Sequence, residues 1–174
     1  MLRLSTFGGL LLQQDGQLHT GPASQRRRLA LLAAVASSGR RGTSREKLLS
    51  LLWPDSEPEA GRHSLYQALH VIRRSLGGDD VLVGSSTLQL NPELITSDVG
   101  EFEESVEQGA HERAARLYRG LFLEGFRLEG APEFEKWQDG ERVRHAHEFA
   151  AALEALAAAA AARQDHAAAA RWWR

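Results

Sequence analysis

The 174-residue sequence contains no cysteine, which excludes disulfides, thiolate catalysis and Cys-based zinc sites. No apolar run reaches the roughly 18 residues that a membrane helix needs. The Ala-rich stretch near the end is interrupted by Glu154, Arg163 and Asp165. The phosphate-cradling pattern G-x-x-x-x-G-K is absent. The first ten residues, M-L-R-L-S-T-F-G-G-L, are too short and too alternating for a signal peptide. A cytoplasmic location is the expectation. The seven histidines form no metal set. His145 and His147 stand two apart on an expected helix and point to different faces, and His63 and His70 have no carboxylate between them. No Ser/His/Asp order stands out. The chain is therefore expected to be no enzyme and to carry no cofactor and no metal.

What is present is a soluble, globular composition, 43% hydrophobic and 25% charged. Net charge is only −2, but its distribution is uneven. From Arg26 to Arg74 there are ten Lys/Arg against four Asp/Glu, and from Val99 onward ten against fourteen. This asymmetry suggests a nucleic-acid face in the first part and a different partner for the second. An ordinary solvated basic face explains the count about as well.

Short apolar stretches around Leu2, Leu4 and Leu10–Leu12, with an Asp15-Gly16 turn signal, read as small strands and a hairpin. Gln25–Ser37 reads as a first helix. Thr43 followed by Glu46 has capping-box spacing and opens a second helix, which Pro54 stops. Residues 57–76, E-P-E-A-G-R-H-S-L-Y-Q-A-L-H-V-I-R-R-S-L, read as a third. Its Leu65, Leu69, Ile72 and Leu76 share one apolar face. Arg62, His63, Tyr66, Gln67, His70, Arg73 and Arg74 occupy the remainder, with no carboxylate among them. Such side chains donate to phosphates and base edges, as a major-groove helix does. Val81–Val83 and Thr87–Leu90 form an expected hairpin. Strands, three helices and a hairpin are the winged helix-turn-helix order.

Beyond Asp98 the pattern turns helical: Val99–Gln108, Glu112–Gly120, one long helix from Pro132 to about Arg163, and a last one running to Trp172-Trp173-Arg174. The expected fold is mostly α with small β elements. A winged helix-turn-helix over 1–98 precedes an all-α, tetratricopeptide-like domain over 99–174. The chain is expected to be a fragment whose next repeats lie beyond Arg174.

The strings Q-R-R-R-L-A-L-L at 25–32, S-R-E-K-L-L-S-L-L-W-P at 44–54, S-L-Y-Q-A-L-H-V-I-R-R-S-L-G at 64–77, S-D-V-G-E-F-E at 97–103 and A-A-R-L-Y-R-G-L-F-L-E-G-F at 114–126 resemble the SARP-type bacterial transcriptional activators. The resemblance implies an OmpR/PhoB-like winged helix followed by a bacterial transcriptional activation domain. It also implies activation through RNA polymerase and its sigma factor, and an indole N–H of Trp53 directed at a phosphate. Two departures stand out: Val71 lies where the family often has a basic residue, and Ser86-Thr87-Leu88 replaces its usual Gly-Tyr of the wing.

The expected function is therefore sequence-specific reading of double-stranded promoter DNA. Its contacts are Arg62, His63, Tyr66, Gln67, His70, Arg73 and Arg74 on the third helix, with Trp53, Arg45 and Lys47 as phosphate contacts. Homodimerisation is a further expectation. Arg73 is open to pairing with the scaffold, and Tyr66 and Trp53 to covering the core. The alternative is a protein-interaction module, with a degenerate winged helix and the helical repeats as its working surface.

Overall fold

The computed structural model describes residues 1–172. The expected end of the last helix at Trp172-Trp173-Arg174 thus falls partly outside the described residues. The chain opens with β1 (Leu2–Ser5), β2 (Leu11–Gln14) and β3 (Gln17–Leu18), antiparallel in sequence. Asp15 and Gly16 both take positive φ, 51° and 81°, the requirement of a two-residue type I′ turn. Leu2, Leu4 and Leu12 face inward. Helix α1 (Arg26–Ala36) buries all eight residues from Leu29 to Ala36, so it is a central core helix and not a surface one.

Strand β4 (Thr43–Ser44) leads into α2 (Arg45–Leu52). The cap lies one residue later than the spacing suggested. Ser44 Oγ accepts the Lys47 N–H at 3.1 Å. Thr43 is buried, and its hydroxyl donates to the Ala34 carbonyl at 2.9 Å, because β4 must pair with the wing before the helix can begin. Helix α3 (Pro58–Ser75) follows the turn at Trp53–Glu57. The wing is β5 (Leu82–Val83) and β6 (Thr87–Leu90), with β4 as the third strand, in the order β4-β6-β5.

Strand β7 (Ile95–Ser97) returns to the first sheet and pairs parallel with β1, giving the order β3-β2-β1-β7. Helices α4 (Asp98–Glu107), α5 (His111–Leu117), α6 (Pro132–Ala162) and α7 (His166–Trp172) complete the described residues. The fold is a winged helix-turn-helix followed by an all-α part.

Position 98 is a seam between two halves that share one core. The buried cluster runs without interruption from Leu2 to Ala152. Asp98 is 7% exposed. Its carboxylate accepts from the Thr6 N–H at 2.8 Å, the Thr6 hydroxyl at 2.6 Å, the Phe7 N–H at 3.1 Å and the Val99 N–H at 2.9 Å. The Phe7 ring then sits among Phe102, Tyr118, Phe122 and His145, at centroid distances of 4.9–6.3 Å. Segment 118–131 clasps the same loop: Gly8 N–H donates to Leu121 O at 3.0 Å and Leu123 N–H to Thr6 O at 2.7 Å.

Candidate nucleic-acid interface

Helix α3 begins with Pro58 in its first turn, where the missing N–H costs nothing, and with Glu59 suited to the positive helix end. Arg73 and Arg74 occupy its last turn, where the dipole favours cations. It buries Gly61, Leu65, Ala68, Leu69 and Ile72. Gly61 meets Leu49 of α2: a Cβ placed there would lie 3.5 Å from Leu49 Cδ2, so the two helices cross closely.

The opposite face is open. Arg62, His63, Tyr66, Gln67, His70 and Arg74 are all exposed. Tyr66 is 63% exposed, an unusual state for so large a ring. Its ring lies parallel to that of His70, 6.4 Å away with 12° between the planes. Val71 is half-buried at the edge of this face.

Arg73 stands apart from the other six. It is half-buried, and its Nη2 donates to the Leu82 carbonyl at 3.1 Å, fastening α3 to the wing. Arg45 is half-buried as well, and its Nε donates to the Ser85 carbonyl while its N–H donates to Ser86 O at 3.0 Å. It braces the wing tip against the start of α2. Lys47 is exposed in the first turn of α2. Trp53 caps the end of α2, half-buried against the core, with the Arg27 guanidinium 5.8 Å above its ring.

Part of the basic surplus before residue 75 is structural. Arg26 donates to Arg127 O and lies 4.5 Å over the Phe126 ring. Arg27 donates to Glu129 O at 3.0 Å, and Arg28 to Pro22 O at 2.7 Å. Arg40 pairs with Glu104 at 2.9 Å. Two of the three arginines that open α1 thus hold segment 118–131, while Arg62, Arg74 and Lys47 keep their charges facing solvent.

A second polar cluster was not legible in the sequence, because its members are about 40 residues apart. Arg144 on α6 pairs with Glu103 and Glu141 at 2.5 Å each and with Glu148 at 3.1 Å. Burial works against its charge, but the hydrogen bonds it donates to Glu141 and Glu103 outweigh that and hold its pKa well above the ordinary arginine value. His145, fully buried, sets Nε2 3.4 Å from Glu103. Glu103, Glu141 and His145 have the donor types of a metal site. The Arg144 guanidinium already supplies the cation between the two carboxylates, so the cluster reads as a bolt joining α4 and α6. At the sheet, Arg3 hydrogen-bonds Glu101 at 2.7 Å, which raises the Arg3 pKa against the opposing effect of burial. No helix among the described residues is long and apolar enough to cross a membrane.

No family model matches the chain, and no curated protein does. Solved structures do. One is Mycobacterium tuberculosis EmbR in complex with a low-affinity phosphopeptide, at a TM-score of 0.59 and 21% identity. The match covers 93% of this chain and 48% of that one, so the chain spans about half the length of the EmbR structure. The likeness is one of fold, and it extends across both the winged helix and the helices that follow.

Proposed function

We propose that the chain is a sequence-specific, double-stranded-DNA-binding transcription regulator of the SARP type, with α3 lying in the major groove. The observation that carries this reading is the exposed face of α3. Arg62, His63, Tyr66, Gln67, His70 and Arg74 are all open to solvent, no carboxylate lies between Arg62 and Arg74, and a wing is braced beside them. Arginine reads guanine through O6 and N7, and glutamine reads adenine through N6 and N7. Lys47 and Trp53 at the two ends of α2 serve as phosphate contacts. Arg73 and Arg45 contribute by holding the wing in register with α3.

In this reading residues 1–98 bind promoter DNA, and the helix pairs of 99–174 meet RNA polymerase or a second protomer. Helix α2 contacts α6, so the second half also stiffens the scaffold that presents α3. The test is a gel-shift titration on the chain's own promoter region beside a random duplex. The reading expects preference for the promoter, lost in Arg62→Ala, Gln67→Ala and Arg74→Ala. Equal weak binding to both duplexes, unchanged in those variants, would leave the helical half as the working part and the chain as a protein-interaction module.

A further inference from the structure

We propose that DNA binding by this chain takes up protons, with His63 and His70 acting as extra phosphate contacts that are cationic only when protonated. The inference rests on α3 being the DNA-facing helix and adds a mode of regulation to that face. His63 and His70 are seven residues apart, two helical turns, so they stand on one side of α3 about 10 Å apart along its axis. Both are exposed. Arg74 lies one turn beyond His70, so His63, His70 and Arg74 form one stripe, with Arg62 flanking it about 100° round the helix. Within α3 the groups near His63 are Glu59, Arg62, Tyr66 and Gln67, and those near His70 are Tyr66, Gln67, Arg73 and Arg74. Of the two arginines beside His70, Arg73 is turned to the Leu82 carbonyl. Glu59 is the one carboxylate on α3, a turn before His63 and near the helix start.

An imidazole ordinarily changes charge between pH 5 and 8. In the neutral form it donates one hydrogen bond; in the charged form it donates two and neutralises a phosphate. Phosphates brought against the stripe favour the charged form, so the bound state holds more protons than the free protein. Lowering the pH must then tighten binding by mass action. Each newly neutralised phosphate also releases counterions and steepens the salt dependence of log K by about 0.9.

The experiment uses the full chain and a mixed-sequence DNA duplex, which supplies the phosphate lattice without requiring the operator. Fluorescence anisotropy would measure affinity at several salt concentrations, at about pH 6 and about pH 8. Calorimetry in two buffers of different ionisation enthalpy would count the protons taken up. Affinity is expected to rise about tenfold or more toward the lower pH, and the salt slope to steepen by up to about 1.8. In the variant His63→Gln/His70→Gln, proton uptake should vanish and the ratio of affinities between the two pH values should fall to about one, whatever the affinity of the variant at the higher pH.

Binding that is salt-dependent and sensitive to Arg62→Ala and Arg74→Ala, yet equal at both pH values with no proton uptake, overturns this proposal and leaves the DNA reading standing. A pH effect of the same size in the double glutamine variant also overturns it, since the protons then enter elsewhere, at His19, His111, His145, His147 or His166. No binding at either pH removes the DNA reading and the proposal together.

Discussion

Substituting Asp98→Ala removes a single carboxylate that accepts from four donors at the seam between the halves. The Thr6 and Phe7 amides sit in buried surroundings and cannot turn to water when the acceptor goes. Each orphaned donor costs about 1–3 kcal/mol, and hydrogen bonds to a charged acceptor are the stronger kind, so the expected loss is about 3–5 kcal/mol. For a chain of this size each kcal/mol lowers the melting midpoint by about 2–4 °C, giving a drop of about 6–20 °C. Calorimetry or urea unfolding measures the loss. Glu101→Gln is the control. It breaks the Arg3 pair, but Arg3 is 41% exposed, so its cost stays below about 1 kcal/mol. Because Asp98 anchors the Phe7 loop in a core common to both halves, hydrogen exchange read separately over α1 and α6 should show both losing protection together. A loss under about 1 kcal/mol, or protection lost in one half only, would refute the argument.

Three further outcomes follow from the same structure. Phe102→Ala empties a fully buried site bordered by Phe7, Tyr118 and His145, and should cost about 3–5 kcal/mol by urea titration. Arg144→Met leaves Glu103 and Glu141 facing each other without a cation, and should cost about 3–5 kcal/mol at neutral pH. The pKa of Arg144 is raised in the folded chain, so its contribution is complete below the ordinary arginine value and is lost only as the pH rises through the higher folded one. Alkaline titration to about pH 10 should therefore not release this bolt, as thermal melts across that range would report. Gly84→Ala places a Cβ 2.0 Å from the Thr87 carbonyl oxygen at a residue with φ of +97°, so the wing turn must rebuild. Its DNA affinity should fall while the fold of α1 and α4, followed by hydrogen exchange, is retained.

Helix α3 was legible almost to the residue, 57–76 in the sequence against Pro58–Ser75 in the structure, because apolar periodicity and a proline-glutamate start mark a long amphipathic helix. Strands β4 and β7 were not, since two or three residues carry no period. What defines them is a partner 45 or 93 positions away: Leu88 for Thr43, and Leu2 for Ile95. For the same reason Thr43 was read as a cap, when pairing with β6 makes it a buried strand residue and leaves capping to Ser44. The charge count of the first half was visible, but not its division. Arg26, Arg27, Arg45 and Arg73 spend their donors on backbone carbonyls, and only the folded chain shows that Arg62 and Arg74 do not. Segment 118–131 carries no regular period, and only the folded chain shows it as the clasp on which Phe7 closes.

The measurement that bears most directly on α3 as a reader of the major groove is methylation interference on a duplex selected for binding to the full chain. Methylation of guanine at N7 marks the major groove, and of adenine at N3 the minor groove. The account predicts interference at guanine N7, lost at defined positions in Arg62→Ala or Arg74→Ala. Interference confined to adenine N3, or a guanine pattern unchanged by those two substitutions, would contradict it.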